Sequence, residues 1–252
     1  MCTRPMQKIA GVAFAITVAA VTACSDAETG EVSLQLATRR IQPMASVQGG
    51  AAGQLVVSLG TDEIVVDGIQ IVLRKIRLDG ASTASCPEDA EGDSDCGGLW
   101  LGPAVFDLPL DQGADPAFTA LLPVGTYGHL KFQIHKPSDA NGDAELVAEH
   151  PEMENTSIRV VGTYNGTPFT YATDLTEVED VTLAEPVEVA AEAEVPLTLH
   201  VDATAWFVDQ AGTGLVDPAQ ANDGLPFESL VEQNIRASFR AFHDADADGA
   251  AD

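Results

Sequence analysis

SIRVVGTYNGTPFTY, residues 157–171, reads as a β-hairpin with Asn165-Gly166 as its two-residue turn. A turn this tight needs positive φ at both central positions, which Asn and Gly adopt at the least steric cost. Strand signals continue on either side of the hairpin. Upstream, GHLKFQIHKP (128–137) sets Leu130, Phe132 and Ile134 on one face and His129, Lys131, Gln133 and His135 on the other, the period-two pattern of a half-buried strand. Residues 137–156 form a long polar connection between them. Downstream, VTLAEPVEV (181–189) and EVPLTLHVDATAWF (194–207) are two more strands.

Further upstream, EVSLQLAT (31–38) alternates Val32, Leu34 and Leu36 against Ser33, Gln35 and Ala37, and QLVVSL (54–59) and residues 64–78 add two strands. Within 64–78, Asp67-Gly68 marks a turn or bulge. The apolar parity then changes from Ile69, Ile71 and Leu73 to Ile76 and Leu78, which places a bulge or sheet-switching bend near Arg74 and Lys75. LWLGPAVFDLPL (99–110), punctuated by Pro103 and Pro109, suits edge strands and corners. Only the end looks helical: across 226–242, Leu230, Val231, Ile235, Ser238, Phe239 and Phe242 fall on one stripe, and Pro226 suits a first turn. The expectation is an all-β domain, an antiparallel β-sandwich or partly open barrel over 31–209. A loop and one C-terminal α-helix packed on the sheet (210–242) and an acidic tail (243–252) follow it.

Composition narrows the partners. With 39 Asp and Glu against 12 Lys and Arg, the formal charge is −27. Nucleic acid and anionic lipid surfaces would repel this chain. Such an excess favours either bound divalent cations or a saline medium that screens the carboxylates. At the N-terminus, Arg4 and Lys8 precede an apolar run over 9–20, too short for a membrane span, and then Val21-Thr22-Ala23-Cys24. This resembles the bacterial lipobox, which implies a signal peptide over 1–23, lipidation of Cys24 and a tether over 24–30. Several acyl chains give a stable membrane anchor. Cys86 and Cys96, in an exported chain, are expected to close a disulfide around CPEDAEGDSDC.

Together the lipobox, IVLRKIRLDG, the Cys-flanked acidic loop, GPAVFDLPLD, LPVGTYGHLKFQIHKPSD, SIRVVGTYNGTPFTY and ESLVEQNIRASFRAFHDADADG resemble a group of bacterial surface lipoproteins with an all-β domain of unknown function. The turn at Pro123, Gly125, Thr126 and Tyr127 is similar to that of transthyretin-like surface modules. The resemblance implies the fold class and the cell envelope as location, and brings no catalytic residues.

The sharpest chemical pattern is Asp244-Ala-Asp246-Ala-Asp248-Gly249-Ala-Ala-Asp252. Calcium takes six to eight hard oxygens, and carboxylates at positions 1, 3 and 5 ahead of a Gly let a short loop wrap one ion. The pattern is similar to the calcium loops of EF-hands and dockerins but stops at position 9, so Asp252 is the expected fourth ligand; a solvated acidic tail is the alternative. Asp139, Asn141, Asp143 and Glu145 make a second candidate calcium loop, and Glu88, Asp89, Glu91, Asp93 and Asp95 a third, each otherwise a polar surface segment. His129 and His135 lie about 20 Å apart along one strand face, too far to share a metal. His200 and Asp202 are spaced for a general-base pair, but read most simply as solvent-facing strand residues. Trp100, Trp206, Tyr127, Tyr164 and Tyr171 serve either as core or as a sugar-stacking platform, with core the default. The sequence thus points to a lipid-anchored, non-enzymatic envelope protein, stabilised by calcium and presenting loops to a protein or glycan. A secreted hydrolase of polysaccharide or peptide, and a docking subunit working through the acidic tail, are the alternatives.

Overall fold

A computed structural model describes residues 28–38, 53–80, 102–110 and 113–252. The lipobox with Cys24, the loop bearing Cys86 and Cys96 with its acids, and Trp100 lie outside the described residues. Eleven strands dominate: β1 (Thr29–Ala37), β2 (Leu55–Leu59), β3 (Asp62–Gly80), β4 (Ala104–Asp107), β5 (Ala114–Pro123), β6 (Gly125–Ile134), β7 (Ile158–Tyr164), β8 (Thr167–Thr173), β9 (Glu177–Val189), β10 (Glu194–Val201) and β11 (Phe239–His243). Among the described residues two α-helices accompany them, α1 (Ala144–Glu149) and α2 (Glu228–Arg236).

The strands form a curled open sheet, a half-barrel, in the order β5-β1-β10-β11-β9-β6-β3-β7-β8, with β2 and β4 paired to β3. The all-β expectation holds at this level. Purely antiparallel pairing does not: β1 runs parallel to β10, and β11 parallel to β9. The curl closes over one apolar core that takes residues from both ends of the strand order, including Leu34, Ile71, Phe132, Tyr171, Leu199 and Trp206.

The 19-residue strand β3 is the organising element. Its first half pairs with β7 and its second half with β6. The changeover falls at Val72, which donates its N–H to Ser157 and accepts the N–H of His135. Both irregularities expected in it are present. The register with β7 shifts between Val66 and Gly68, and that with β6 between Arg74 and Arg77, where Lys75 takes φ 54°. An extra residue there flips the inward set, so Ile69, Ile71 and Leu73 and then Ile76 and Leu78 all reach the core. The 157–171 hairpin also forms as expected, with Asn165 and Gly166 at φ 49° and 77°.

The helical expectation over 226–242 needs correction. Helix α2 ends at Arg236 with Val231 and Ile235 buried, and Phe239–His243 is strand β11, antiparallel to β10. In Phe239-Arg240-Ala241 the buried, exposed, buried alternation fits a strand as well as a helical stripe, and insertion between β10 and β9 decides for the strand. Two elements escape the periodicity. Strand β5 buries only Leu122 and carries a bulge at Ala117, where its register with β1 shifts, while α1 buries no residue and so shows no apolar stripe.

Candidate metal centre at the C-terminal loop

The end of β11 delivers the acidic loop to the sheet margin. Asp244 extends the pairing by donating its N–H to Pro196 O, and its side chain is fully buried. Asp244 Oδ2 accepts the Thr198 hydroxyl and the Gly249 N–H, each at 2.9 Å, and Oδ1 accepts the Asp248 N–H at 3.1 Å. Asp248 Oδ1 in turn accepts the Ala250 N–H at 2.8 Å. The loop is seated on β1 and β5. Ala247 O accepts the N–H of Ala114, and a Cβ on Gly249 would stand 3.3 Å from both Ala37 Cβ and Gly113 O. Gly249, at φ 79°, is therefore required by conformation and by space.

This folding brings carboxylate oxygens of Asp244, Asp246 and Asp248 within 4.8 Å of one another, the former buried and the other two exposed. Among the described residues it is the one place where three acidic or histidine side chains converge so closely. Three hard, anionic oxygens with no thiolate or imidazole suit calcium and not a softer metal. Asp252, the expected fourth ligand, is placed differently: its Oδ2 accepts the Ala245 N–H at 2.7 Å and meets His243 Nδ1 at 2.8 Å, closing the loop from outside. Beside the loop, a groove of about 580 Å³ runs between Glu185–Glu188 and Glu194, with Phe242 and His243 on its wall.

The second candidate loop assembles otherwise. Asp139 opens a 3₁₀ turn, Glu145 lies in the first turn of α1, and Asp143 points inward. Its Oδ2 meets His135 Nε2 at 2.8 Å and accepts the Ser138 N–H at 3.1 Å. Sequence reasoning missed this buried pair, since eight residues and an irregular turn separate its members. Burial holds the His135 imidazole below its ordinary 6.5, with the Asp143 hydrogen bond opposing and Arg74 assisting. The unfolded chain then binds the proton more readily, so stability is lost as pH falls through about 6.5. Between pH 7.5 and 5.5 the unfolding free energy should fall more steeply for the native chain than for His135→Gln. Denaturant midpoints across that range would show it, and parallel slopes would refute it.

His200 is not solvent-facing as expected but buried, its ring 6.2 Å from that of Phe242. Asp202 caps a 3₁₀ turn, accepting the Thr204 N–H at 3.1 Å. Tyr127, Tyr171 and Trp206 are core residues, with Tyr171 edge-on to Phe207 at 5.4 Å. Tyr164 packs part-buried against the core. No family model matches this chain, and no curated protein or solved structure is significantly similar to it.

Proposed function

We propose that this is a lipid-anchored, non-enzymatic protein of the bacterial cell envelope, a sandwich-like β scaffold whose C-terminal loop is ordered by calcium and which presents loops to a protein or glycan partner. The observation that carries the reading is the convergence of Asp244, Asp246 and Asp248 on a loop already seated on β1, β5 and β10. Calcium would neutralise three like charges there and lock the chain end against the sheet. The envelope location rests on the N-terminal sequence, through Cys24 and the run before it. The burial of His200 and of the His135–Asp143 pair, away from the surface, supports a non-enzymatic role.

The test is thermal unfolding of the full chain in detergent, with 5 mM calcium or with chelator, at low and high sodium chloride. A site of extracellular type, with dissociation constants of about 0.1–1 mM, should contribute about 1–2 kcal/mol at that concentration. The rise should be specific to calcium and lost in Asp248→Asn. Equal stabilisation by sodium chloride alone would reduce the loop to a screened acidic tail.

A further inference from the structure

A second cluster of charge lies far from the acidic loop in character. Four of the twelve Lys and Arg gather on the outer face of β3 and β6: Arg74, Lys75, Arg77 and Lys131. The strand register builds two cross-strand rows. Arg77 stands opposite Lys131 and Lys131 opposite Asp180, while Arg74 stands opposite Gln133 and Gln133 opposite Val178. Between the rows is a cavity of about 130 Å³, lined among the described residues by the four cations, Phe132, Gln133 and Val178. At about 30 Å³ per water it admits a group the size of a carboxylate or sulfate and a little more.

The two rows differ in role. Arg77 is bound to Asp79 at 3.1 Å, and Lys131 to Asp79 at 2.9 Å and Asp180 at 3.3 Å, so these cations are fixed and partly compensated. In the other row, Arg74 Nε donates to Gln133 Oε1 at 2.8 Å. That bond engages the amide oxygen of Gln133 and leaves its NH₂ and the outer guanidinium N–H groups as donors.

The backbone points the same way. Lys75, at φ 54°, is the one non-glycine residue with positive φ inside a strand of the described residues. A left-handed lysine costs about 1–2 kcal/mol, which Asn or Gly would largely avoid. The bulge it occupies sets Arg74 and Lys75 side by side at the cavity mouth, and bulges commonly re-aim side chains at binding sites.

We propose that the cavity at the β3 bulge is an oxyanion site that takes the carboxylate or sulfate group of an acidic ligand, with Arg74, Lys75 and Gln133 as donors and Arg77 and Lys131 as fixed background charge. The site is independent of the calcium loop and of lipidation. Isothermal titration of the full chain with sodium glucuronate, sodium sulfate and neutral glucose, at constant ionic strength set with chloride, tests it. Glucuronate or sulfate should bind and glucose should not; preference between the two anions identifies a carboxylate or a sulfate ester as the natural group. Arg74→Gln combined with Lys75→Asn should weaken binding at least tenfold, whereas Lys136→Gln, just beyond the end of β6 and outside the cavity, should leave it unchanged. Lys75→Asn alone should weaken anion binding and Lys75→Arg should restore it, which a merely structural lysine would not do. Absence of anion binding, equal binding of glucose, or full affinity in the double variant would overturn the proposal.

Discussion

Gly162→Ala will destabilise the protein by about 3 kcal/mol or more, far beyond the usual cost of a surface alanine. Gly162 lies in β7 opposite Val66 of β3, just where the β3 bulge shifts the register. An added Cβ would lie 2.1 Å from Val65 O, 3.0 Å from Val65 C and 3.1 Å from Val66 Cα. All three are backbone atoms, so no rotamer relieves the clash, and β7 must withdraw from β3. That opens the pairing from Ile64 and Tyr164 to Ile71 and Ile158, on which the β7–β8 hairpin depends. For a chain of this length the midpoint should fall by about 6–12 °C. Gly166→Ala is the contrast: its φ is 77° but nothing lies within 4 Å of the new Cβ, so only the left-handed penalty of about 1–2 kcal/mol applies. Thermal unfolding followed by circular dichroism separates the two, and equal losses would show that the close approach at Gly162 is not what holds β7.

Local chemistry and tertiary context divide what the sequence discloses. The hairpin at Asn165-Gly166 and the parity change at Arg74 and Lys75 are legible because each is written in neighbouring residues, as a φ requirement or a switch of face. The Asp244, Asp246 and Asp248 convergence is legible for the same reason, since one short turn makes it. Strand β11 is not, because its pairing with β10 is set by residues some forty positions away, and its aromatic spacing satisfies two periods at once. Asp252 stands outside the cluster because Asp244 is anchored by Thr198 of β10, which fixes the loop's inner wall and leaves Asp252 to reach His243 from outside. The cation cluster needs two strands in register: Arg77 and Lys131 are 54 positions apart, and only the β3–β6 pairing makes them neighbours.

Asp244→Ala should cost about 3–5 kcal/mol even with calcium chelated, because this carboxylate is a structural acceptor before it is a ligand. Its side chain is wholly buried and receives the Thr198 hydroxyl and the Asp248 and Gly249 amides. Removing it strands three donors in a site water does not reach, at about 1–3 kcal/mol each, with partial relaxation. The opposing gain, relief of repulsion from Asp246 and Asp248, is small, since both are exposed and screened at physiological salt. Asp244→Asn should cost less, about 1–3 kcal/mol, because its remaining oxygen can still serve the Thr198 and Gly249 donors while its NH₂ faces the Asp248 amide. Asp246→Asn and Asp248→Asn should barely move the chelated midpoint, within about 0.5 kcal/mol, as exposed substitutions generally do. All four variants should lose the calcium-dependent rise. Chemical unfolding of the set, with and without calcium, therefore separates anchor from ligand. If Asp244→Ala unfolded at the native midpoint in chelator, the buried carboxylate would not be holding the loop, and the seat on which a calcium site depends would be missing.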